Sequence, residues 1–124
     1  MSTILLVEDT LANRVLAVKL LKAAGHQVIE AHDGPTGIAE AQDKRPDLVL
    51  MDLSIPGLDG WEAIRRLRSD GRTRGLRIVA LTAHAMAGTR DKAIAAGFDG
   101  YLSKPIDVLS FADTIASFLE VRRQ

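Results

Sequence analysis

Asp47-Leu48-Val49-Leu50-Met51-Asp52 sets four uninterrupted apolar side chains between two aspartates. A strand with one wet face alternates polar and apolar residues, so an unbroken run argues for a strand covered on both faces, as in a parallel sheet. Comparable short runs at residues 4–7, 27–30, 77–81 and 100–102 join residues 47–51 to predict five strands, three of them without polar alternation. Helices must then cover both faces of the sheet. The intervening segments supply apolar residues at helical spacing: Leu16, Leu20 and Ala24; Ile38 and Ala41; Trp61, Ile64 and Leu67; Ile94; and Phe111, Ile115 and Phe118. The pattern is strand then helix, five times over, giving an α/β fold of three layers in one domain of 124 residues.

The punctuation agrees. Gly25 and Gly97 follow Ala23-Ala24 and Ala95-Ala96, where a left-handed residue is wanted to end a helix. Asp59 followed by Glu62 predicts a capping box, Pro35 suits a first helical turn, and Asp107 is expected to cap the last helix. Arg122 and Arg123 fall where a helix C-terminus favours cations.

Composition excludes several classes of function. Sixteen basic and sixteen acidic side chains give zero formal net charge, so no global field draws the chain to nucleic acid or an anionic membrane, and neither is an expected direct partner. The absence of cysteine rules out disulfides, thiol catalysis and a thiolate zinc site, and fits a cytoplasmic location. The apolar run of residues 4–7 is far too short to insert in a membrane and reads as a strand rather than an export signal.

Ligands of an open parallel sheet collect at the carboxyl ends of its strands. There the sequence places Glu8-Asp9 after strand one, Asp52 after strand three, Thr82 after strand four, and Ser103-Lys104 after strand five. Two unit charges about 4 Å apart repel by about 4 kcal/mol at an effective dielectric of 20, so three close carboxylates need a cation or must bind protons. All-oxygen ligands favour Mg²⁺, with Mn²⁺ as the other choice, and Asp9 and Asp52 are the expected direct ligands. Lys104 and Thr82 can meet phosphoryl oxygens by charge and by hydrogen bond, leaving Asp52 as the nucleophile. Taken singly, each residue has a plainer reading as a turn, cap or surface group; their convergence on one sheet edge favours chemistry.

Ile4-Leu5-Leu6-Val7-Glu8-Asp9, Met51-Asp52-Leu53-Ser54-Ile55-Pro56-Gly57-Leu58-Asp59-Gly60, Ala80-Leu81-Thr82-Ala83 and Lys104-Pro105 together resemble the signature segments of bacterial response-regulator receiver domains. The resemblance spans nearly the whole chain, in order and at compatible spacing. It implies a flavodoxin-like strand order of 2-1-3-4-5 and a phosphoryl group taken by Asp52 from a phosphohistidine. It also implies Mg²⁺ held by Asp9, Asp52 and the backbone carbonyl of Ser54, with Glu8 acting through water. A phosphoryl contact from the Ala83 backbone and a cis peptide before Pro105 are further implications, as is a switch in which Thr82 moves toward the phosphoryl group while Tyr101 turns inward. The implied partners are a histidine kinase or histidine phosphotransfer protein and a downstream protein target. Ser54 and His84 stand where phosphoryl lifetime is tuned in the family.

An Mg²⁺-dependent aspartyl-phosphate phosphatase normally has a second acid two residues after its nucleophile, where this chain has Ser54. A flavin or nucleotide module needs a glycine- or hydroxyl-rich loop after strand one, and Glu8-Asp9-Thr10-Leu11-Ala12-Asn13 is acidic and lacks glycine. A receiver segment of a hybrid histidine kinase is a third possibility, although Met1 and the end of the chain one helix after Lys104 point to a stand-alone domain. Within helix one, Leu11, Val15 and Val18 form a second apolar stripe beside Leu16, Leu20 and Ala24. That stripe reads either as a partner-docking ridge or as scattered surface apolars.

Overall fold

The central ladder pairs Ile4 with Leu48, Leu5 with Val49, Leu6 with Leu50 and Val7 with Met51, joining the first and third strands in parallel. The computed structural model describes residues 2–54, 57–82 and 88–120. Among these, β1 (Thr3–Val7), α1 (Leu11–Ala23), β2 (Gln27–Ala31), α2 (Gly34–Lys44), β3 (Leu48–Asp52), α3 (Gly60–Ser69), β4 (Ile78–Thr82), α4 (Thr89–Ala96), β5 (Gly100–Ser103) and α5 (Phe111–Glu120) follow one another. The strands form one parallel sheet in the order β2-β1-β3-β4-β5, as expected.

The uninterrupted apolar runs are the three inner strands, where β3 and β4 are buried at every residue and β1 at all but Thr3. Alternate side chains of each strand serve opposite cores. Leu5, Val7, Val49, Met51 and Ala80 pack with Ile38, Ala41, Ala63, Ile64, Leu67 and Ala93 of α2, α3 and α4. Ile4, Leu6, Leu50, Val79 and Leu81 pack with Ala17 and Leu21 of α1 and Phe111 and Ile115 of α5. At roughly 25 cal/mol per Å² of apolar area, two such cores supply the main favourable contribution to folding.

Several local expectations hold. Asp59 caps α3 by accepting from Glu62 N at 2.8 Å, although the return half of the expected box is not formed, because the Glu62 carboxylate turns to Arg65 and Arg66. Pro35 lies in the first turn of α2, whose cap, Asp33, accepts from Thr36 N at 2.7 Å. Gly25 and Gly97 end α1 and α4 at φ of 93° and 115°, a region costly to residues with a Cβ. At Gly60, where α3 begins, a Cβ would come within 2.7 Å of Leu53 Cα, so only glycine lets the helix start directly against the end of β3.

Others need correction. Asp107 does not cap α5, which starts four residues later; its carboxylate accepts from Leu109 N at 3.0 Å in a preceding turn. In α1 Ala17 and Leu21 are buried in the core with Val18 and Leu20 half-buried against it, so of the expected stripe Leu20 packs, while Leu16 is half-buried and Ala24 exposed. The helix is apolar around most of its circumference, so periodicity did not select the face, and the small Ala17 allows a close approach to the sheet. β3 and β4 each run one residue further than expected, which brings Asp52 and Thr82 into the ladder. Arg122 and Arg123 lie outside the described residues.

Candidate phosphoacceptor site

Each strand end delivers one element of the site. Glu8 follows β1, and its backbone N–H donates to Ala31 O at 3.0 Å, so the chain leaves the sheet still tied to β2. Asp52 is the last residue of β3, in register with Leu81, and Thr82 is the last residue of β4, in register with Ser103. Lys104 follows β5, held by its N–H to Thr82 O at 2.7 Å, and the Lys104–Pro105 peptide is cis, as expected.

These side chains meet. Lys104 Nζ lies 2.5 Å from Glu8 Oε1 and 2.7 Å from Asp52 Oδ2, while Asp52 Oδ1 accepts from Ser54 N at 2.9 Å and Glu8 Oε2 from Thr10 N at 3.2 Å. One carboxylate oxygen each from Glu8, Asp9 and Asp52 lies within 4.8 Å of the others. Glu8, Asp52 and Thr82 are buried, whereas Asp9 and Ser54 are exposed, so the cluster opens to solvent on one side.

The environment separates the two buried acids. Burial pushes the Glu8 carboxyl above its ordinary value, more than the Lys104 hydrogen bond pulls it down. Burial pushes Asp52 upward too, yet hydrogen bonds from Lys104, Ser54 N and Glu8 outweigh it and hold Asp52 below its ordinary value. Lys104 is raised: burial opposes its charge, but both carboxylates favour it more. Asp52 is thus the acid poised as an anion.

Three hard oxygen donors converging within 4.8 Å suit a small divalent cation, and no histidine joins them among the described residues. Tyr101 is half-buried on β5 against the core beneath α2, α3 and α4. It also borders a cavity of about 270 Å³ between β5 and α5, lined by Leu102, Ile106, Phe111 and Thr114 and by Ser103 and Pro105 on either side of Lys104. Ala83, Ile55 and His84 lie outside the described residues.

The ridge expected on α1 divides. Leu11 and Val15 are exposed at 64% and 45%, while Val18 is half-buried against the core. Val108 and Leu109, at 54% and 93%, add exposed apolar surface just beyond Lys104 that the sequence reading did not single out. Nor did it find Arg14, whose guanidinium reaches the backbone of Glu8 and Asp9; the available signal was a basic residue one turn into the helix that follows an acidic pair.

Comparison with known proteins agrees with the geometry. Residues 4–116 match the response regulator receiver domain model. The polar-differentiation response regulator DivK of Brucella anthropi is 36% identical over 94% of this chain and 95% of its own length. The receiver domain of the sensor histidine kinase PA1611 of Pseudomonas aeruginosa, solved with magnesium coordinated in its active-site cleft, superposes with a TM-score of 0.88 at 33% identity, covering 97% of this chain and 98% of that one. The chemotaxis response regulator CheY4 of Vibrio cholerae superposes with a TM-score of 0.88 at 27% identity over 95% of this chain and 98% of its own. With the strand order, the acidic cluster and the lysine in place, the chain belongs to the response regulator receiver domain family, the phosphoacceptor signalling modules of two-component systems.

Proposed function

We propose that Asp52 is the phosphoacceptor, taking a phosphoryl group from the phosphohistidine of a histidine kinase or histidine phosphotransfer protein. The observation that carries this reading is the setting of Asp52: an anion at the end of a central strand, 2.7 Å from the Lys104 ammonium and within 4.8 Å of two further carboxylates. An Asp52 oxygen attacks phosphorus, the bond from phosphorus to the imidazole nitrogen breaks, and the imidazole leaves with the electron pair. Both Asp52 oxygens are engaged, so one donor must give way. Lys104, on a flexible stem, can follow the charge onto a phosphoryl oxygen, while the Ser54 amide stays in place.

Asp9, Asp52 and the Ser54 carbonyl would hold Mg²⁺ directly, with Glu8 contributing through water, and Mn²⁺ fits the same donors. The bound ion would neutralise charge on the carboxylates and on the incoming phosphoryl group. Thr82, and the backbone at Ala83, would donate to the remaining phosphoryl oxygens. Movement of Thr82 coupled to Tyr101 would alter the surface where β5 meets α5, which a downstream protein target reads.

The whole chain, residues 1–124, is read as one receiver domain whose role is to accept and relay rather than turn over a substrate. The phosphatase alternative is disfavoured by Ser54, which stands where that chemistry wants an acid. No helix among the described residues is long and apolar enough to cross a membrane, which fits the cytoplasmic location proposed here. Incubation with purified phosphohistidine donors tests the proposal: rapid transfer to Asp52 from one donor supports it, and multiple turnover of phosphomonoesters would replace it with the phosphatase.

A further inference from the structure

Arg14 takes no part in the chemistry above, yet its side chain is only 11% exposed. It sits in the first turn of α1, its backbone N–H donating to Thr10 O at 3.0 Å. Its Nη1 donates to the carbonyl oxygens of Glu8 at 3.1 Å and Asp9 at 3.4 Å, and its Nε lies 3.4 Å from Glu30 Oε1 on β2. The guanidinium therefore grips the backbone of both acidic residues and is itself tethered to the neighbouring strand. The Asp9 carboxylate, by contrast, makes no hydrogen bond or ion pair among the described residues, so its location is set by the backbone that Arg14 holds.

We infer that Arg14 is a positioning residue: it fixes the corner between β1 and α1 so that the Glu8 and Asp9 carboxylates converge on Asp52 at the spacing a small octahedral cation requires. This rests on the metal reading above. Mg²⁺ demands near-ideal octahedral geometry at about 2.0–2.1 Å, whereas Ca²⁺ accepts irregular shells at about 2.3–2.6 Å, so a loosened corner penalises Mg²⁺ more. Coulomb's law alone predicts the opposite for loss of Arg14, because deleting a positive charge beside three carboxylates tightens binding of every cation. A lysine keeps the charge but lacks the planar fork that spans two carbonyls and Glu30.

Calorimetric titration of the full chain with Mg²⁺ and with Ca²⁺ separates the two effects, using Arg14→Lys, Arg14→Gln and Glu30→Gln. The expected result is roughly tenfold weaker Mg²⁺ binding for both Arg14 variants, the scale usual for groups that orient metal ligands, with Ca²⁺ weakened by less than about threefold. Glu30→Gln should move the Mg²⁺ to Ca²⁺ preference in the same direction by less. Mg²⁺ binding equal to or tighter than the parent's, or equal loss for both ions, would overturn the inference. Far-UV circular dichroism establishes that the variants fold; if the Arg14 variants do not, Glu30→Gln decides, and an unchanged ion preference in it counts against the role. A parent protein that takes up no Mg²⁺ would overturn the metal reading itself, and this inference with it.

Discussion

Lys104 Nζ stands 2.7 Å from Asp52 Oδ2, and the same ammonium reaches Glu8 Oε1 at 2.5 Å, so one cation ties the end of β3 to the residue after β1. With about a tenth of the lysine side chain exposed, the pair is largely desolvated, and removing its cation leaves two buried carboxylates facing each other. Breaking a buried pair from one side costs about 3–5 kcal/mol. Protonation of Glu8 relieves part of that repulsion, because burial already raises its pKa. Lys104→Ala should therefore lose about 2–3 kcal/mol in urea unfolding at neutral pH without metal, and millimolar Mg²⁺ should restore much of it. A loss that Mg²⁺ leaves untouched would mean that the lysine stabilises by packing and not by charge.

Acetyl phosphate with Mg²⁺ should add one phosphoryl group to the intact mass, and Asp52→Asn should abolish it. The product should be an acyl phosphate, stable in acid and labile in base. Labelling of Asp52→Asn to the parent's extent would move the acceptor elsewhere.

Stability against pH should show the two acids pulling in opposite directions in metal-free buffer. Asp52 is lowered from its ordinary 3.8, so its contribution is present above that value and lost as pH falls through its native pKa. Glu8 is raised from 4.5, so its contribution is full below 4.5 and lost as pH rises through its native pKa. Relative to the parent, Asp52→Asn should become progressively less stable as pH rises through the window below 3.8. Glu8→Gln should gain on the parent as pH rises above 4.5. Parallel curves for parent and Glu8→Gln across that window would refute the raised value.

What the sequence disclosed and what it withheld divide along physical lines. Asp52 and Thr82 were legible because each closes a buried apolar strand, and the parallel sheet sends all such closures to one edge. Lys104 was legible as a cation at that edge, but its hold on Glu8 as well as Asp52 depends on β1 and β3 being neighbours, which runs of apolar residues do not specify. The core face of α1 was legible only in part, at Leu20, because Leu16, Ala17, Val18, Leu20 and Leu21 are all apolar and only the packed structure selects Ala17 and Leu21 as the buried residues. Arg14 was missed because its acceptors are backbone carbonyls, which every residue has.

The surviving part of the α1 ridge carries the last prediction. Val18 packs against the core and drops out, leaving Leu11 and Val15, one turn apart and exposed, on the helix that starts just after Asp9. Val108 and Leu109 add exposed apolar surface in the segment that follows Lys104, and α1 contacts α5, the helix into which that segment leads. A phosphohistidine carried on a helical bundle must bring its imidazole against Asp52, and its flanking helix faces would then lie across these residues. Desolvating them supplies affinity at roughly 25 cal/mol per Å² before the costs of association, while the carboxylates and Lys104 supply only chemistry. Val15→Lys should therefore slow transfer from the protein donor by about tenfold or more, the effect of losing about 1.4 kcal/mol of docking energy. Labelling by acetyl phosphate should stay near the parent rate, because a small donor needs no docking face. Leu109→Lys should behave in the same way if the segment after Lys104 joins the same surface. Equal loss with both donors would mean that the substitution damaged the fold or the site, and no loss with either would return Leu11 and Val15 to the ordinary surface.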